Sequence, residues 1–266
     1  MDLNFKYNQN ILLEKLNDSK ILIYGPGNNN IDEDIKNNLF DEYDYIIVNS
    51  GMINILKTKL DLHKIKVVHV LGGLYVDDFK DTIIADDKLV YMYLVSEIHT
   101  MNVMINYGIN PSKVMHMANN YKKYGISGWP QMGPKLFIFF EEYKIKFKIM
   151  MITGYTFYMN IDKSNSIYNL EYQDYNHLLK EYGKNIDHLK NKDIKDLTDE
   201  DKILLNKEVE KVSLKNPKNS TTGHLIFEGY NVFLRFLSKN MNNVKVDKPL
   251  KKIIKKYPKL LDNNPF

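Results

Sequence analysis

Cysteine is absent from the 266 residues. That excludes disulfides, thiolate metal sites and cysteine nucleophiles, and it fits a reducing compartment. Arginine is nearly absent: Arg235 is the single one, so 36 of the 37 basic residues are lysine. Nucleic-acid readers rely on arginine for bidentate contacts to bases and phosphates, so no nucleic-acid partner is expected. No run approaches the roughly 18–20 uninterrupted apolar residues that span a bilayer. The start, Met1-Asp2-Leu3-Asn4-Phe5-Lys6, lacks the basic stretch and apolar run of a signal peptide. The expectation is a cytoplasmic protein with no transmembrane segment. Gly-Lys-Ser/Thr is missing too, which excludes a P-loop.

What is present is apolar and aromatic enough, at 44% and 12%, to bury a substantial core. The net charge of +4 is modest and serves solubility. Lysine in place of arginine, with abundant Asn, Ile and Tyr, is the usage of an AT-rich genome, as in a parasite, an endosymbiont or a large DNA virus.

Short apolar runs bounded by turns alternate with helical stretches, which predicts an α/β fold. The expected form is a Rossmann-like, mainly parallel sheet flanked by helices, with a polar, lid-like helical segment towards the C-terminus. Strands are expected over 20–24, 44–49, 65–71, 89–95, 113–118 and 147–153. Helices are expected over 31–40, 51–60, 97–107, 131–143, 171–183, 199–213 and 224–239. Residues 1–183 would form the catalytic domain, and 184–266 a helical extension packed on it. Residues 184–220 are rich in Lys, Asp, Asn and Glu, which suits a solvated surface segment first and a mobile lid second. The tail Lys248–Lys256 reads as a basic amphipathic helix that packs Leu250, Ile253 and Ile254 inward.

The stretch from Ser19 to Asn30 reads as a buried strand, Lys20–Tyr24, entering the loop Gly25-Pro26-Gly27-Asn28-Asn29-Asn30 before a helix start. Such a loop aims backbone N–H groups at an anion. In a doubly wound sheet ligands sit at the carboxyl ends of the strands, so Gly25, Gly27 and Asn29 would meet one there, with Asn49 at the end of the second strand. A nicotinamide site wants an acid near that second position and a third glycine in the loop. Asn49 is neutral and the third glycine is missing, which lowers the NAD and S-adenosylmethionine readings.

Further along, Ser127-Gly128 precedes an apolar helix and offers either a hydroxyl and N–H groups to a ligand or a simple helix cap. The strand ending at Thr153 runs into Gly154-Tyr155-Thr156-Phe157-Tyr158, which puts the Tyr158 hydroxyl at the sheet's carboxyl edge; Tyr168 follows ten residues on. As ordinary rim tyrosines they would be unremarkable among 19. His188 leads the polar run Leu189-Lys190-Asn191-Lys192-Asp193-Ile194-Lys195. His177 and Glu181 are i,i+4 on one expected helix face, where the carboxylate can orient the imidazole.

In order and spacing these pieces resemble the sialyltransferase-like glycosyltransferases, chiefly the bacterial family forty-two, over residues 18–198. The resemblance implies that Gly25, Gly27, Asn28, Asn29 and Asn49 hold a cytidine nucleotide together with Ser127 and Gly128. It implies that Tyr158 and Tyr168 bind the leaving phosphate, and that His188 is the general base, with His177 the competing choice. The implied activity is inverting transfer from a CMP-activated, sialic-acid-like sugar to a glycan acceptor. The implied partners are a nucleotide sugar and a glycan. No cofactor and no metal ion are implied, since a monophosphate can leave without one. The family loop usually carries Asn-Gly-Pro-Ser where this chain has Pro26-Gly27-Asn28-Asn29. A pyrophosphokinase-like or S-adenosylmethionine-dependent transferase, and a non-catalytic nucleotide-binding relative, remain as alternatives.

Overall fold

Continuous apolar runs such as Ile21-Leu22-Ile23-Tyr24 and Ile46-Ile47-Val48 are buried on both faces, the condition of strands in a parallel sheet covered by helices. The computed structural model describes residues 3–25, 31–49, 52–72, 80–117, 121–126, 132–155, 179, 182–215 and 226–259. Along these the chain forms α1 (Leu3–Leu16), β1 (Lys20–Tyr24), α2 (Ile31–Lys36), β2 (Tyr45–Asn49), α3 (Met52–Lys59) and β3 (Val67–Leu71). It continues with α4 (Lys80–Asp86), β4 (Val90–Val95), α5 (Ile98–Asn106), β5 (Val114–His116), α6 (Met132–Glu142) and β6 (Ile149–Thr153). The last part holds α7 (Asp199–Lys215), α8 (Ile226–Lys239), β7 (Val244–Val246) and α9 (Lys248–Lys256).

The seven strands form one sheet in the order β5-β4-β3-β2-β1-β6-β7, and every neighbouring pair is parallel. The fold is therefore α/β and Rossmann-like. From β1 the chain winds outward through β2 to β5, then returns to place β6 on the other side of β1. The order reverses between β1 and β6, which makes that crevice the switch point where ligands of such sheets bind.

Side chains alternate between two cores. On one face Ile21, Ile23, Ile47, Val70, Leu94 and Ile152 meet α1, α6, α8 and α9. Phe137 of α6 stacks on Phe236 of α8 and packs at a tilt against Phe233, with ring centroids 5.1 and 5.5 Å apart. On the other face Leu22, Tyr24, Ile46, Val48 and Val95 meet α2 to α5 through Ile31, Met52, Leu56, Ile83 and Met104. Each fully buried side chain of this size stabilises the fold by about 1.5–3 kcal/mol relative to exposure.

The strands match the sequence expectation to within a few residues at each end. The helix expected over 31–40 is shorter. It stops at Lys36, Asn38 turns the chain in the left-handed region at φ 55°, and a 3₁₀ turn covers Leu39–Glu42. α1, α4 and β7 are additions. β7 is three residues long, too short for an alternating pattern to register. The helix expected over 171–183 lies largely outside the described residues; Gly183–Asn185 at its end is a 3₁₀ turn. In α9, Leu250 and Ile253 are buried and Ile254 packs against the same core, as the tail pattern predicts. Among the described residues no helix is long and apolar enough to cross a membrane.

Candidate functional site at the switch point

Parallel pairing levels the strand ends. Tyr24 lies beside Val48 on one side and Thr153 on the other. Gly25, Asn49 and Gly154 therefore emerge together at the carboxyl edge. The Gly25 N–H donates to the Thr153 carbonyl at 2.8 Å, extending the β1–β6 ladder by one residue.

Gly25 has a steric reason to be glycine. A Cβ there would lie 2.5 Å from the Gly154 carbonyl oxygen and 2.6 Å from the Tyr155 ring. The opposite edge of that ring faces Gly133, in the first turn of α6, where a Cβ would sit 2.7 Å away. Tyr155 is thus wedged between the end of β1 and the start of α6. Its hydroxyl donates to Asn49 Oδ1 at 3.2 Å. Burial pushes the phenol well above its ordinary value, so it stays protonated and acts as a donor.

The wedge is anchored from the far end of the chain. Asp247, between β7 and α9, accepts from the Gly154 N–H at 2.8 Å and the Thr153 hydroxyl at 3.0 Å. Its other oxygen accepts from the Leu250 N–H at 2.7 Å and caps α9. Burial raises its pKa, and the bound N–H groups oppose that only in part. Asp34 of α2 accepts from the Tyr24 hydroxyl at 2.7 Å. Its pKa is also raised, first by burial and in smaller part by the negative charges of Glu33 and Asp247. Asp34 thus stands beside β1 and Asp247 beside β6, each with its pKa raised by burial.

A second polar cluster lies at the carboxyl ends of β4 and β5. Glu97 interacts electrostatically with His116, Tyr121 and Lys135. Lys135, from α6, is 6% exposed and lies 5.8 Å from the centroid of the Tyr121 ring. Burial lowers its pKa, and Glu97 partly restores it. Burial likewise lowers that of His116, against its hydrogen bond to the Ser96 backbone.

Of the residues predicted from sequence, the structure brings Gly25 and Asn49 together across Tyr155. His188 lies in a 3₁₀ turn at Asp187–Leu189. It is exposed, and its Nε2 is 3.0 Å from Asp201 Oδ1. Asp201 in turn accepts from Lys192 Nζ at 2.5 Å and from the Thr198 N–H and hydroxyl at 2.8 and 2.9 Å. Thr198 accepts from the Asp201 N–H at 3.2 Å. That reciprocal pair is a capping box at the start of α7. The Lys192 and Thr198 bonds, and His188 more weakly, hold the Asp201 carboxyl far below the usual carboxylate range. Gly27, Asn28, Asn29, Ser127, Gly128, Tyr158, Tyr168 and His177 lie outside the described residues.

Tyr155 and Asp247 are the additions that sequence reasoning missed. Tyr155 stood inside the Thr153–Tyr158 motif, but nothing local sets it apart from 18 other tyrosines. Asp247 carried a readable signal, an acid just ahead of Lys248-Pro249, which marks a helix start; its reach to Gly154 has no local sign. Among the described residues no group of three or more His, Asp or Glu side chains is placed to hold a metal ion. No family model matches the chain, and neither the curated proteins nor the solved structures contain a match.

Proposed function

We propose that the chain is an inverting glycosyltransferase that takes a CMP-activated, sialic-acid-like sugar and passes it to a glycan hydroxyl. The observation that carries this reading is the crevice between β1 and β6. There the strand order reverses, and Gly25 and Asn49, two positions that the resemblance assigns to the nucleotide, face each other across Tyr155. In such a transfer the CMP phosphate gains charge as it leaves, and hydroxyl and N–H donors at the edge would stabilise it. A histidine would take the acceptor proton, since neutral imidazole titrates near working pH. The contact between His188 Nε2 and Asp201 Oδ1 would orient such an imidazole, leaving Nδ1 to accept the proton.

The capping box around Asp201 favours a second reading, a nucleotide-binding relative without the chemistry. There His188 and Lys192 serve the start of α7 and nothing more.

Thermal melts against CMP, CDP, UDP, ATP and S-adenosylhomocysteine, with and without Mg²⁺, test the binding site. The expected result is protection by CMP and CDP that EDTA leaves unchanged. Protection by none of the cytidine nucleotides overturns the reading. Release of sugar from a CMP-sugar, lost in His188→Ala with an unchanged melting midpoint, separates the enzyme from the silent relative.

A further inference from the structure

We propose that Tyr155 is a positioning residue that fixes the Asn49 amide, so that Asn49 offers its N–H groups to the ligand. This rests on the reading of the crevice as a nucleotide site. The phenol carries one proton, and Asn49 Oδ1, at 3.2 Å, is the acceptor it meets among the described residues. An amide whose oxygen is engaged in this way keeps both of its N–H donors and only one of its two lone pairs. The ring cannot swing away to release the amide. Gly25 closes one edge of it and Gly133 the other, each near enough that a single Cβ would collide. Nor can its backbone drift, because Asp247 holds the Gly154 N–H and the Thr153 hydroxyl.

The ligand atom that meets Asn49 is therefore a hydrogen-bond acceptor. A cytidine nucleotide offers several such oxygens, among them the ribose 2′- and 3′-oxygens, the pyrimidine 2-carbonyl and the phosphate oxygens. A group that can only donate, such as an exocyclic amine, is disfavoured, since it faces the two N–H donors and competes for one remaining lone pair. The rule comes from a residue that need not touch the ligand.

The test is Tyr155→Phe, which keeps the ring and removes the hydroxyl. In the ligand-free protein the Asn49 side-chain amide ¹⁵N resonance, assigned by its loss in Asn49→Ser, is expected to shift in Tyr155→Phe. CMP affinity is expected to fall about 2–10-fold, near the lower end because 3.2 Å is long for a hydroxyl donor. In an Asn49→Ala background the same change is expected to do nothing further. If 2′-deoxy-CMP loses this sensitivity, the acceptor is the ribose 2′-oxygen; if it keeps it, the acceptor is another oxygen of the nucleotide. An unmoved resonance overturns the proposal whatever binds, as does an equal loss of affinity with and without Asn49. A moved resonance in a protein that binds neither nucleotide sinks the nucleotide reading and leaves the positioning role standing.

Discussion

His69 shows what burial does to a single titratable side chain. It lies in β3 at 6% exposure, 6.0 Å between ring centroids from Tyr93, and its Nε2 has no hydrogen-bond partner among the described residues. Burial lowers its pKa from the ordinary 6.5 to about 4. Between those values the unfolded chain takes up a proton that the fold refuses. Stability is therefore expected to fall as pH drops from 6.5 to about 4, and to lose nothing further from this group below that. The contribution is roughly 3 kcal/mol over the window. His69→Leu removes both the titration and the unpaired nitrogen at similar volume. Urea unfolding at pH 7 and pH 4.5 should show a smaller acid loss in the variant than in the parent. Parallel losses in the two proteins would mean that His69 is not the group refusing the proton. Asp34 and Asp247, raised by burial, act in the opposite direction in acid, and the comparison cancels them.

Between elements, the contact that shapes the crevice is the approach of α6 to the turn after β6. Gly133 and Gly25 both make room for Tyr155, but they differ in what else is near. The atoms crowding a Cβ at Gly133 all belong to the Tyr155 side chain, whereas Gly25 also meets the Gly154 carbonyl at 2.5 Å. In the parent, either Gly→Ala change is expected to cost about 1–3 kcal/mol by overpacking. In a Tyr155→Ala background the Gly133→Ala cost should vanish, while Gly25→Ala should stay costly because a backbone atom blocks it. Chemical denaturation of the four-member cycle for each glycine measures this coupling. Equal rescue at both positions would contradict the geometry. α7 is built differently, its start held by the Thr198–Asp201 box and the side chains of Lys192 and His188.

Across the whole molecule, the last strand and helix complete what the first strand begins. β7 pairs with β6, and α9 buries Leu250 and Ile253 in the core that also receives Leu12 and Leu16 of α1. Asp247 joins this closing segment to the crevice, more than 90 residues along the chain from its partners Thr153 and Gly154. Asp247→Ala removes a helix cap and two further hydrogen bonds, and is expected to lower stability by about 1–3 kcal/mol. If the C-terminal elements belong to one cooperative unit, thermal unfolding followed by far-UV and near-UV circular dichroism will show a single, coincident, shifted transition. Two separated transitions would mean that β7 and α9 unfold on their own.

The alternation of apolar runs and helical stretches determined the fold class, because burial on both faces leaves a strand no polar side to show. It also placed Gly25 and Asn49 at strand ends, since Gly and Asn stop the runs Ile21–Tyr24 and Ile46–Val48. Tertiary structure alone decided which strands are neighbours, and with that the crevice between β1 and β6. It alone gave Tyr155 its wedge and Asp247 its reach to Gly154, because both depend on chain segments about a hundred residues apart meeting at one edge. His188 lies between these cases. Its neighbours in sequence marked it as a candidate base, while its bond to Asp201 arises from how the turn before α7 folds.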